Sequence, residues 1–112
     1  MTPASSKAKG RRLQQMIRDL LLLYKPELEP DDVRSTSMGA QGEDVTLSPA
    51  ARKHYPIQIE CKNKENYKNV YRDYNQTKEH GQYEPVLIVK INQERPLAIV
   101  DAEFFIRELA RP

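Results

Sequence analysis

The sequence predicts an α/β domain in which helices flank a sheet, in the order α-β-β-β-α-β-β-α. Three observations predict it. Apolar residues recur at steps of three and four in residues 13–24, 67–74 and 102–109, as one face of a 3.6-residue helix requires. They alternate at period two in residues 57–62 and run continuously in residues 86–89, as strands do. The two kinds of segment interleave, separated by Pro and Gly. A chain of 112 residues, 38% of them hydrophobic, suits one domain, read as residues 9–112 behind a flexible tail at 1–8.

Taken in order, Leu13, Met16, Ile17, Leu20, Leu21 and Tyr24 form the apolar stripe of the first helix, which Pro26 ends. An acidic connection, Glu27–Asp32, leads to a short strand at Val33–Met38 and a turn at Gly39 and Gly42. Asp44–Leu47 is the second strand and Ser48–Tyr55 a turn region. Pro56–Lys62 is the third strand: Ile57, Ile59 and Cys61 face one way, and Gln58, Glu60 and Lys62 the other. A second helix is expected over Lys64–Glu79, with Tyr67, Val70, Tyr71 and Tyr74 packed inward and Gly81 at its C-terminal end. Pro85–Ile91 reads as a buried strand and Leu97–Val100 as the fifth. Asp101 caps a last helix whose inward stripe is Ala102, Phe105, Ile106 and Leu109.

Composition excludes several classes of function. One cysteine, Cys61, permits no intrachain disulfide and no Cys-rich zinc module, and two histidines make a His-based zinc site improbable. No apolar run approaches the roughly 18 residues of a membrane span and no signal peptide is visible, so a cytoplasmic protein is expected. The net charge of +2 hides an uneven distribution. Residues 1–24 carry five basic side chains and one acidic, residues 25–50 two and six, and residues 51–82 seven and four. Two basic zones therefore flank an acidic one.

The second and third strands, paired antiparallel about residue 52, set Asp44 beside Glu60, about 5 Å apart at Cβ. Lys62 projects from the same face. Two carboxylates that close repel unless something positive stands between them, and hard oxygen ligands suit Mg²⁺ or Mn²⁺.

These residues carry a family resemblance. Gly42-Glu43-Asp44-Val45 followed by Ile57-Gln58-Ile59-Glu60-Cys61-Lys62 resembles the PD-(D/E)XK nuclease superfamily, over roughly Gly10 to Leu109. The resemblance implies a restriction-endonuclease-like core, a mixed central sheet flanked by helices. It further implies Mg²⁺, with Mn²⁺ as a substitute, held by Asp44, Glu60 and the backbone carbonyl of Cys61. Lys62 would then position the attacking water and stabilise the charged phosphorane. Many members place a Glu on the first helix, and no Glu occurs between Met1 and Tyr24, so Gln14 or Gln15 would substitute. Glu43 stands where Pro is common and is a possible extra ligand.

DNA is the implied substrate. Lys64, Lys68 and Arg72 at i, i+4, i+8 and Arg11, Arg12 and Arg18 on the first helix are candidate phosphate contacts, with Gln76 as an auxiliary. Small stand-alone members include the Holliday junction resolvases, so branched DNA and a homodimer are expected, with Leu22, Leu23 and Phe104 supplying interface. The alternatives are a catalytically inactive DNA- or partner-binding module on the same fold, and an enzyme acting on RNA or single strands.

Overall fold

The structure is a computed structural model that describes residues 3–36, 42–63, 68–109 and 111. Helix α1 (Pro3–Tyr24) starts inside the segment expected as a tail and leads through a 3₁₀ turn (Pro30–Asp32) to strand β1 (Val33–Ser35). Then come β2 (Val45–Leu47), α2 (Pro49–His54), β3 (Ile57–Asn63), α3 (Val70–Thr77), a second 3₁₀ turn (Lys78–His80), β4 (Glu84–Lys90), β5 (Leu97–Ile99) and α4 (Ala102–Leu109). The class is α/β, with four helices around one five-stranded sheet.

Strand order follows chain order, β1-β2-β3-β4-β5. β3 and β4 run parallel and the other neighbours antiparallel, so the sheet is mixed. The parallel pair needs a crossover, and α3 provides it. On one side of the sheet Leu13 and Ile17 of α1 pack on Val33, Val45, Ile59, Cys61, Val86 and Ile88. On the other side α3 packs against β3 and β4. There Gln58 is wholly buried: its Nε2 donates to the Thr77 carbonyl at 2.8 Å, and its Oε1 accepts from the Tyr83 amide at 3.1 Å. The alternation read along residues 57–62 is therefore real, and both faces of β3 are covered.

Four expectations are corrected. First, the region 48–55 holds α2 rather than a turn. Ser48 Oγ accepts from the Ala51 amide at 3.1 Å, Pro49 fits the first turn, and Arg52, Lys53 and His54 suit the helix C-terminus. Second, α3 starts at Val70, so Lys68 lies before the helix and does not share a helical face with Arg72; Lys64 and Tyr67 lie outside the described residues. Third, the buried positions of α3 are Asp73 and Thr77, while Tyr71 is 80% exposed. A polar pair faces the sheet because Gln58 and Glu60 stand beneath it. Fourth, α1 and α4 are rotated relative to their apolar stripes. Gln14 is buried beside Leu13 while Met16, Leu20, Leu23 and Tyr24 are exposed, and Phe105 and Ile106 are exposed while Phe104 is partly covered.

Candidate functional site

The site forms where the β2–β3 ladder stops. β2 has three residues and β3 seven, and Val45 pairs with Ile59. One step further along that register, Asp44 stands across from Glu60. The Asp44 amide donates to the Ile59 carbonyl at 3.0 Å, and beyond it the side chain takes over from the backbone: Asp44 Oδ2 accepts from the Cys61 amide at 2.8 Å. An extended residue sends its N–H and C=O out on the same edge, so the Cys61 carbonyl leaves beside the Asp44 carboxyl.

Glu60 is the centre of the cluster. Lys62 Nζ lies 3.5 Å from its Oε1, and His80 Nε2 lies 2.9 Å from its Oε2. The Glu60 carboxyl lies close enough to the Asp44 carboxyl to favour the protonated form of Asp44. Burial and that neighbouring carboxylate push the Asp44 pKa up to about 6, against the opposing Cys61 amide and Lys62 ammonium. Burial and the same two carboxylates push the Cys61 thiol up as well, so it is an inert core side chain. A pair of acids held this close fits a hard divalent cation, which would offset their mutual repulsion. Asp44, Glu60 and the Cys61 carbonyl offer three oxygen donors. Among the described residues no group of three or more His, Cys, Asp or Glu side chains forms a complete metal cage.

No family model, curated protein or solved structure matches this chain.

The other candidate residues divide. Glu43 is no ligand. Both its oxygens lie 2.7 Å from Arg52 Nη2, and Arg52 Nη1 also donates to the Ile57 carbonyl at 2.6 Å. This buried pair ties α2 to the start of β3 and fixes the residue before Asp44. Gln14 is buried and its Oε1 accepts from Ser35 Oγ at 3.1 Å, on the strand whose Ser35 pairs with Val45. It thus reaches the neighbourhood of Asp44 through β1, whereas Gln15 is exposed and lines the groove between α1 and β1. Arg72 and Gln76 line a groove of about 590 Å³ together with Lys62 and Asp73, so α3 does bring a basic and an amide side chain to Lys62. A second groove, about 820 Å³, lies between α1 and β1, where Arg11, Arg18 and Arg34 gather. Its inner end is Thr36, whose amide donates to the Asp44 carbonyl at 2.9 Å. Arg12 lies away from this groove, against Met16 and Leu20.

Two residues were missed. His80 was read only as too few histidines for zinc, and its position beside Glu60 depends on where the turn after α3 places it. Asp73 is 2% exposed in the wall of the Lys62 groove, and Arg72 Nε lies 3.6 Å from its Oδ1. The spacing Val70-Asp73-Thr77 carried the signal, as one helical face, but a search for apolar stripes passes over a polar one.

Proposed function

We propose that this chain is a divalent-cation-dependent nuclease on a restriction-endonuclease-like fold, with DNA as substrate. The observation that supports it is the close pair of carboxyls, Asp44 and Glu60, at the end of the β2–β3 ladder, with Lys62 3.5 Å from Glu60. Asp44, Glu60 and the Cys61 carbonyl would hold Mg²⁺ or Mn²⁺. When bound, such an ion neutralises charge on the scissile phosphate and makes it more electrophilic. The chain's own residues do the rest. Lys62 presents an ammonium beside the carboxylates, where it orients the attacking water and stabilises negative charge as it develops on the phosphoryl oxygens. His80 holds one oxygen of Glu60 and so fixes the direction of the other. Arg72 and Gln76 line the groove that leads to Lys62 and would steady the flanking backbone.

The test is incubation with labelled linear, single-stranded, flap and four-way DNA, in Mg²⁺ and in EDTA. Cleavage is expected in Mg²⁺ alone, reduced at least about 100-fold by Asp44→Asn, Glu60→Gln and Lys62→Ala. Only the first two variants should lose Mn²⁺ binding in calorimetry. Undiminished cleavage in excess chelator would refute the reading. One observation favours a second reading, a catalytically silent binding module: His80, Lys62 and the Cys61 amide together satisfy both carboxyls without a cation. In that case wild-type protein binds DNA, cuts none of the substrates and gives no Mn²⁺ heat.

A further inference from the structure

β3 and β4, the parallel pair, end in register: Asn63 is opposite Lys90. Crevices at the carboxyl ends of parallel strands are where α/β sheets receive ligands. Asn63 follows Lys62 directly, so the two side chains leave β3 on opposite faces. On the Asn63 side lies a groove of about 430 Å³, lined by Lys9, Arg12, Lys90, Asn63, Asn92 and Gln93 with Leu13 and Met16. None of its lining residues is acidic. Lys9 Nζ donates to Asn92 Oδ1 at 3.0 Å and Lys90 Nζ to the Ile91 carbonyl at 3.2 Å, so neutral acceptors hold both ammonium groups, and neither makes an ion pair with a described residue. Arg12 makes no ion pair with a described residue. Asn63 Oδ1 is buried without a hydrogen-bond partner. Three cations drawn from α1 and β4 repel one another in the free protein, and an anion relieves that repulsion. The unsatisfied carbonyl asks for a donor next to that anion.

The geometry points to a second phosphate-binding site, formed by Lys9, Arg12 and Lys90 behind the C-terminal edge of the sheet, that takes a backbone phosphate of the same nucleic-acid strand whose cleavage was proposed above. The strand would pass from the Lys62 groove around the end of β3, and a base amino group beside the phosphate would donate to Asn63. The identity of the ligand rests on the nuclease reading; the anion site itself does not. Arg12 thereby keeps the phosphate-contact role expected from the sequence, but on the opposite face of the sheet from Arg72.

Anisotropy with labelled single-stranded and duplex DNA, in Ca²⁺ and in EDTA, tests the site without turnover. Lys9→Ala, Arg12→Ala and Lys90→Ala combined should lower affinity on the order of 100-fold near 0.1 M salt and flatten the log–log salt dependence by about one unit per lost contact. Lys9→Arg and Lys90→Arg should keep both. If the triple variant fails to melt cooperatively, Lys9→Glu alone, on α1, must show the loss. Unchanged affinity and slope in a folded triple variant overturn the site. A nucleoside monophosphate that shifts the Asn63 side-chain amide resonance and is displaced by DNA supports the nucleic-acid ligand; one that DNA does not displace overturns it in favour of a free nucleotide. Cleavage that depends on Asp44, together with unaltered binding by the triple variant, removes this site and keeps the nuclease. Loss of binding by the triple variant of a protein that cuts nothing does the reverse.

Discussion

Asp44 is destabilising in the metal-free protein, and the sign follows from its pKa. The carboxyl titrates near 3.8 when unfolded and at about 6 when folded. Below about pH 4 both states hold the proton. Between the two values the folded state binds more protons, so stability falls as pH rises through that window, and the penalty is fully present above about pH 6. Partial exposure of the group reduces a two-unit shift to about 1–2 kcal/mol. In EDTA, Asp44→Asn should therefore melt higher than wild type above pH 6 and converge with it below pH 4; parallel melting curves at all pH values would contradict the raised Asp44 pKa. His80 gives a second residue-scale prediction. His80→Ala frees Glu60 Oε2 and should lower cleavage about 10–100-fold with a weaker apparent Mg²⁺ affinity, while His80→Gln, which still offers a donor, should recover most of it. An equal loss in both variants would mean the contact does not position Glu60. The cluster of Asp44, Glu60 and Lys62 was legible because period-two parity and a hairpin midpoint are properties of sequence numbering. His80 was not, because its approach to Glu60 depends on a turn whose direction no local pattern encodes.

At the scale of elements, the α3–β4 connection is held by one amide side chain. Gln58 Nε2 donates to the carbonyls of Thr77 and Gly81, and its Oε1 lies so near Gly81 that an added Cβ would stand 2.7 Å from it. Gly81→Ala should push Gln58 aside, cost about 1–3 kcal/mol through the groups left unpaired, and lower cleavage by moving His80. Gln58→Ala should cost a similar amount; chemical denaturation midpoints of the two variants are the check. Wild-type stability in Gly81→Ala would show that the clamp is loose. The strands were legible because alternation and β-branched runs survive tertiary context. The helices were legible in number but not in rotation. In α1 a buried Gln14 turns the inner face by one position, away from Met16 and Leu20, and in α3 Asp73 and Thr77 occupy the inner face. Each is a polar side chain whose burial is decided by a partner far away in sequence. The missed helix α2 was encoded openly in Ser48-Pro49, and a search for apolar periodicity cannot find a six-residue helix in which Ala51 alone is buried.

At the scale of the whole molecule, the exposed large apolar side chains among the described residues include two helical groups, Met16, Leu20, Leu23 and Tyr24 of α1 and Phe105 and Ile106 of α4, besides Tyr71, Tyr83 and Leu97. Leu22 and Phe104, expected at an interface, are partly covered instead. A two-fold assembly that covers the α1 surface would bring two sites into one particle, as symmetric cutting of branched DNA requires. Sedimentation should then give twice the 13.0 kDa chain mass, and Leu20→Glu with Leu23→Glu should return the monomer without loss of fold. A monomer at micromolar concentration with no preference for four-way over linear DNA would remove the junction substrate and leave the nuclease proposal intact. Among the described residues no helix is long and apolar enough to cross a membrane.

Because β2 begins only at Val45, one residue after Asp44, the Cys61 amide answers to a carboxyl rather than to a carbonyl. A backbone proton has thereby become an internal spectroscopic gauge of the site. Its ¹⁵N–¹H resonance should follow the ionisation of Asp44, with a midpoint at about pH 6, and should shift again when a cation binds the carboxyl. Its deuterium exchange should slow once the carboxylate is clamped, while the Ile59 amide on the same strand remains a fixed reference. Occupancy of the site can thus be read from a single main-chain signal, with no substrate and no turnover.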